Sequence, residues 1–158
     1  MQTPDLGEDP LALDRQVCFA LSVASRNVIS LYRPLLAPMN LTHPQYLVML
    51  ALWERSPRSV TDLCAALHAD AATLSPLLKR LEAVGYVVRT RSRSDERRLE
   101  VALTDEGARL RAEAEKIPYR IVETLGVELS ALEELHGLLS TIIAASRRAL
   151  DARNGGQA

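Results

Sequence analysis

The sequence has few aromatic residues, few cysteines and almost no net charge, and each shortage is informative. One Trp, one Phe and four Tyr in 158 residues, against abundant Leu and Ala, point to a mainly helical chain. Two cysteines, Cys18 and Cys64, lie 46 positions apart. That excludes a disulfide framework and any closely spaced pair of the redox or zinc type, so redox chemistry here would rest on single thiols. No run of about 18 apolar residues is present to span a membrane, and no basic segment precedes a hydrophobic stretch as in a secretory signal. A cytoplasmic protein is expected. His43, His68 and His136 are scattered without metal-ligand spacing, so neither a metal nor a cofactor is expected. What is present is a 47% hydrophobic chain of ordinary domain length, enough for a core.

The formal net charge is only −1, yet seven basic and three acidic residues fall between Lys79 and Arg98. Positive charge is therefore focused on one segment, as a phosphate-facing surface requires. Just before it, Asp70 is a good N-cap for a run with Leu74, Leu77, Leu78 and Leu81 at helical spacing, and Gly85 a good C-cap. The exposed face of that helix carries Thr73, Ser75, Pro76, Lys79 and Arg80, a mixture able to meet base edges and phosphates. Next come Tyr86, Val87 and Val88, a polar stretch over 89–98 containing Arg89, Arg91, Arg93, Asp95 and Arg97, then Leu99, Val101 and Leu103 in alternation. This predicts a β-hairpin with a long polar turn. A short capped helix from Ser59 to Leu67 precedes the pair and completes a helix-turn-helix. Residues 59–103 thus read as a winged helix-turn-helix rather than as a hairpin whose arginines only serve solvation.

Around this module, residues 1–10 and 151–158 read as tails and 11–150 as one domain. Leu13, Val17, Leu21, Ala24, Val28, Leu31 and Leu35 predict one long helix over 11–36. Thr42 and Gln45 predict a capping box, with Pro44 in the first turn of the helix that follows. Thr104 caps a helix bent at Pro118, and Ser130 with Glu133 predicts a second capping box for a final helix bearing a broad Leu/Ile stripe. Long apolar helices over 11–36 and 105–150 suit either an intertwined homodimer or an intramolecular bundle.

Four segments, QVCFAL at 16–21, LYRPLL at 31–36, PQYLVMLALWE at 44–54 and TLSPLLKRLE at 73–82, together with DERR at 95–98, resemble the multiple antibiotic resistance regulator (MarR) family. Within it they are most similar to the organic hydroperoxide resistance regulators. The resemblance covers roughly residues 11–150. It implies a homodimeric winged-helix regulator that binds pseudo-palindromic double-stranded DNA. The helix after Asp70 would enter the major groove and Arg97 the minor groove, with Asp95 orienting the wing through a basic neighbour. Lys79, Arg89 and Arg91 would join Arg97 on phosphate.

The resemblance also implies that Cys18 is a redox sensor supported by Tyr32. Arg15, three residues before Cys18 in the predicted helix, places a cation where it favours the thiolate. Tyr32 lies 14 residues beyond Cys18, roughly 21 Å along a helix, so its support must come from the other subunit. The chain departs from the family pattern at His43, where a second tyrosine is usual; His43 can still support Cys18 by donating a hydrogen bond, although a helix N-terminus disfavours its imidazolium form. Two inducer classes therefore stay open: an oxidant acting at Cys18, with a low-molecular-weight thiol capping the product, or a small molecule bound near Tyr32, His43 and Tyr46. Cys64, on the stripe Val60, Leu63, Cys64, Leu67, reads as a core residue. A thiol peroxidase would have no use for the basic helix and wing, and a plain interaction module would show no salt-dependent DNA affinity.

Arg97→Ala is expected to weaken operator binding by about 1–3 kcal/mol while the melting temperature stays unchanged. Unaltered affinity in a fluorescence-anisotropy titration would remove the wing arginine from the interface.

Overall fold

The structure is a computed structural model that describes residues 9–91 and 99–155. Arg93, Asp95 and Arg97 lie outside the described residues. The chain divides into two compact units, Met1–Ile117 and Pro118–Ala158.

In the first unit, a 3₁₀ turn at Leu13–Arg15 precedes α1 (Val17–Leu36), and a second at Ala37–Met39 leads into α2 (His43–Glu54). Strand β1 (Arg58–Ser59), helices α3 (Val60–Leu67) and α4 (Ala71–Val84), strands β2 (Val87–Arg91) and β3 (Leu99–Leu103), and the short helices α5 (Asp105–Arg109) and α6 (Arg111–Ala114) follow. The sheet is antiparallel in the order β1-β3-β2, with Arg89 opposite Val101 and Arg58 opposite the same residue on the other side. The helix-turn-helix and the two strands of the hairpin thus form where the sequence predicts, with one difference. Strand β2 runs on through residues 89–91, which the expected turn over 89–98 includes, because they pair with 99–101; the rest of that turn lies outside the described residues. Strand β1 was not foreseen: two residues are too few to show an alternation.

Capping chemistry sets most boundaries. Gln45 Oε1 accepts from the Thr42 amide at 2.8 Å, Ser59 Oγ from Asp62 N at 3.0 Å, and Asp70 Oδ1 from Thr73 N at 2.6 Å. Gly85 ends α4 at φ 91°, a left-handed conformation that suits glycine. Other boundaries differ from expectation. The helix predicted over 11–36 begins only at Val17, because Gln16 is extended and its Nε2 donates to the Pro10 and Ala12 carbonyls. The single bent helix expected after Thr104 is instead α5, α6 and α7 (Ile117–Leu125). Pro118, in the first turn of α7 where no N–H is needed, starts a helix rather than bending one.

In the second unit, α8 (Leu129–Gly155) begins before Ser130, so Ser130 and Glu133 lie inside it and form no capping box. It also continues through 151–155, which had read as tail, since Asp151, Ala152 and Arg153 do nothing to stop a helix.

The core of the first unit is built from Leu36, Val48, Met49, Leu52, Leu63, Leu74, Leu78, Leu81, Val87 and Val101, all fully buried. Helix α2 is its centre, burying Gln45, Tyr46, Val48, Met49, Ala51, Leu52 and Trp53. One close approach joins these elements. A Cβ on Gly107 would lie 2.0 Å from the Tyr86 carbonyl oxygen, so α5 packs directly on the backbone at the root of β2. The Gly107 carbonyl accepts from Trp53 Nε1 at 2.8 Å, and the Tyr86 hydroxyl donates to the Met39 carbonyl at 2.9 Å. Thr104 ties β3 to the same point, its hydroxyl donating to Gly85 O at 2.6 Å and accepting from Gly107 N at 3.1 Å.

Gly107→Ala is expected to cost about 3 kcal/mol, since backbone atoms must move to admit the methyl group. Gly137→Ala in α8, where a Cβ meets nothing within 4 Å, is expected to stabilise by about 0.5–1 kcal/mol. Urea denaturation of both variants checks the contrast.

Candidate functional site

Helix α4 presents a continuous polar face. Leu74, Leu78 and Leu81 anchor it to the core, which leaves Thr73, Ser75, Pro76, Lys79 and Arg80 exposed on the other side. Ser75 Oγ donates to Ala71 O at 2.7 Å, so its hydroxyl proton is engaged within the helix and its oxygen remains an acceptor. Asp70, bonded to the Thr73 amide, has its carboxyl held below the ordinary range by that bond. The cap therefore stays ionised at neutral pH and fixes the first turn of the helix.

The wing strand separates its two described arginines. Arg91 is exposed, whereas Arg89 is half-buried against the last turn of α4. Glu82 Oε2 accepts from Arg89 Nε at 2.8 Å and from Nη2 at 2.5 Å, and Oε1 accepts from the Arg89 amide at 3.1 Å. The expectation that Arg89 lies on phosphate thus meets a guanidinium already held by a carboxylate. Hydrogen bonding to Arg89 is also the main cause holding the Glu82 carboxyl below its usual range. Glu82 is not among the site residues expected from the sequence. Its signal was an acid closing the recognition helix, followed across Gly85 by an arginine on the next strand.

The predicted sensor residues fall in two places. Cys18 is exposed in the first turn of α1. Arg15 belongs to the preceding 3₁₀ turn, and extended Gln16 separates it from α1, so the two do not share a helix face as expected. Tyr32 lies near the other end of α1, roughly 21 Å from Cys18 along the axis. There it meets α2. The Tyr32 and His43 rings are edge-on at 5.0 Å, Tyr46 lies 5.9 Å from Tyr32, and Trp53 lies 6.2 Å from Tyr46. Burial lowers the His43 pKa and raises those of Tyr32 and Tyr46, with the Tyr32 charge adding to the effect at Tyr46. The cluster is therefore neutral at physiological pH. Cys64 is half-exposed on α3, beside fully buried Leu63.

Helices α2, α3 and α4 packed on one core, with the polar face of α4 turned outward and an antiparallel wing after it, define a winged-helix DNA-binding transcriptional regulator. Residues 30–113 match the family model described as transcriptional regulator SarA/Rot. The chain is 43% identical over 94% of its length to the HTH-type transcriptional regulator TtmR of Methylorubrum extorquens, of which it covers 74%. It is 40% identical over 85% of its length to the organic hydroperoxide resistance transcriptional regulator of Bacillus subtilis, of which it covers 89%. Reduced AbfR bound to DNA, from a Staphylococcus epidermidis protein, superposes with a TM-score of 0.68 at 34% identity, over 85% of this chain and 97% of that one. CouR bound to a 23-mer DNA duplex gives a TM-score of 0.72 at 30% identity, over 92% and 99%, and the same Rhodococcus jostii protein is known bound to p-coumaroyl-CoA. The chain belongs to the MarR family of winged-helix transcriptional regulators, with an organic hydroperoxide resistance regulator among its relatives.

The depressed Glu82 carboxyl has a consequence for stability. A group whose folded pKa lies below its unfolded one, about 4.3 for Glu, stabilises the fold above that value and loses its contribution as pH falls through the folded pKa. The melting-temperature gap between wild type and Glu82→Gln is therefore expected to be constant above about pH 5 and to close below about pH 4. A gap independent of pH in differential scanning fluorimetry would show that the pair contributes nothing as an ion pair.

Proposed function

We propose that this regulator is a cytoplasmic homodimeric repressor that leaves its operator when Cys18 is oxidised. The observation that carries the reading is a solvent-exposed thiol in the first turn of α1, in a chain similar to an organic hydroperoxide resistance regulator. The Cys18 thiolate attacks the distal oxygen of a hydroperoxide. An S–O bond forms as O–O breaks, the sulfur loses two electrons, and the departing alkoxide takes up a proton to become an alcohol. Condensation of the sulfenic acid with a low-molecular-weight thiol then forms a mixed disulfide and releases water.

Dimerisation is supported by apolar side chains left in water. Val17, Phe19 and Ile29 on α1 are exposed, as are Leu135, Leu138, Ile142, Ile143 and Leu150 on α8. On each helix, apolar exposure on this scale is more than a monomer retains without use. A crossed dimer would also bring the partner's α1 near, so that a tyrosine roughly 21 Å away in its own protomer can serve the thiol of the other. Oxidation would then shift the population toward a dimer whose two α4 helices no longer match half-sites about one helical turn apart.

A second reading has an observation of its own. Tyr32, His43 and Tyr46 form a neutral ring cluster where α1 meets α2, and CouR is a structurally similar protein that binds p-coumaroyl-CoA. A small-molecule inducer seated there would release DNA without any thiol chemistry.

The two readings separate on one comparison, using a duplex selected from a randomised library by the wild-type protein. Cumene hydroperoxide is expected to weaken wild-type binding by about tenfold or more, ~1.4 kcal/mol, and to leave Cys18→Ser bound. Retention of both would favour the ligand reading, and equal release of both would remove Cys18 from the mechanism.

A further inference from the structure

The Glu82–Arg89 pair stands between the two parts of the DNA interface, and nothing in the recognition of bases or phosphates requires it. One carboxylate at the end of α4 receives both the guanidinium and the backbone amide of Arg89. Strand β2 is the edge of the sheet, so the Arg89 amide that Glu82 caps points away from β3. Opposite Arg89 on β3 is Val101, which is fully buried. The root of the wing is thus held from both sides: by the ladder to β3, and by a three-bond clamp from the recognition helix.

Charge accounting points the same way. A guanidinium bonded through Nε and Nη2 to a carboxylate has its charge matched and its planar fork occupied. To reach a phosphate it would have to leave Glu82 behind, unpaired beside the DNA backbone. Arg91, two residues on along the same strand and exposed, carries no such cost in its described surroundings.

We infer that Glu82 is a specificity-determining positioning residue: its carboxylate withdraws Arg89 from phosphate contact and uses it to lock the wing strand to the recognition helix. Operator discrimination depends on the pair, because base edges in two grooves are met together only if α4 and the wing keep one mutual angle. Bulk affinity for DNA does not, because phosphate attraction is indifferent to that angle. The inference rests on α4 and the wing being the DNA interface.

The test uses the full chain and anisotropy titrations over a salt series, on the selected duplex and on a scrambled duplex of the same composition. Lys79→Ala serves as the phosphate-contact control and is expected to flatten the salt slope by about 0.9 on both duplexes. Glu82→Gln is expected to lower the ratio of selected to scrambled affinity by about tenfold, the weight of one base contact. Its affinity for scrambled DNA should hold or rise, and its salt slope steepen by up to about 0.9, as a freed Arg89 finds phosphate. Arg89→Lys keeps the charge, loses the fork, and should lower the ratio in the same way. It carries the test if Glu82→Gln does not fold by circular dichroism. An unchanged ratio in the folded variants would overturn the inference. So would Arg89→Ala flattening the slope on scrambled DNA as Lys79→Ala does, since Arg89 would then be a phosphate ligand. Failure of the underlying reading looks different: Lys79→Ala would leave both slopes unaltered.

Discussion

The contact of Gly107 with the Tyr86 carbonyl is the constraint on which the first unit is built. With 2.0 Å between a notional Cβ and that oxygen, only glycine lets α5 lie on the root of the wing. The approach makes the rest of the network possible. It exposes the Gly107 carbonyl to the Trp53 indole, brings Thr104 within reach of Gly85, and leaves the Tyr86 ring to span the core to Met39. Each of these polar groups is buried or half-buried, and unmade bonds there would cost about 1–3 kcal/mol apiece. Helix α2, the turn after α4 and the β3–α5 corner therefore have one mutually consistent arrangement. Arg111 adds to it from α6, donating to the Trp53 carbonyl at 3.1 Å and so capping the end of α2.

Local chemistry made much of this legible in the sequence. Ser59, Asp70, Thr104 and the Thr42–Gln45 box announced four helix starts because a cap is a relation between neighbouring residues, and the structure realises each one. The alternation of Leu99, Val101 and Leu103 announced β3 for the same reason. The misreadings share a different cause. Apolar spacing carried the first helix back to residue 11, but Gln16 is extended and spends its side chain on the carbonyls of Pro10 and Ala12, a local break that the period of apolar residues does not register. Ser130 and Glu133 satisfied the capping pattern with no cap formed, because a pattern of types does not say where the backbone turns extended.

The candidate site was readable to the extent that its parts are exposed. Thr73, Ser75, Pro76, Lys79 and Arg80 declared themselves by sitting between core leucines. The state of Arg89 could not be seen this way, since its carboxylate partner belongs to another element seven residues back and charge counting treats every arginine alike. Tyr32, His43 and Tyr46, expected together as a small-molecule site, do meet, though nothing in their spacing shows how. That contact depends on how α1 returns through the 3₁₀ turn at Ala37–Met39 to lay α2 beside it.

These connections limit how any signal reaches DNA in this fold. Helix α4 and the root of β2 are joined by Glu82 and Arg89, and that root is tied to Met39 by the Tyr86 hydroxyl. Met39 closes the turn that follows α1, and Leu36, the last residue of α1, is fully buried in the same core. Close-packed elements of this kind move as bodies rather than deforming one by one. In the proposed mechanism, modification of Cys18 need not reshape the recognition surface at all. A change in where α1 sits, whether driven by a thiol adduct at its first turn or by a ligand at the Tyr32 cluster near its other end, carries the whole reading head with it. Both inducer readings thus converge on one movable part, and they differ in which end of α1 receives the signal.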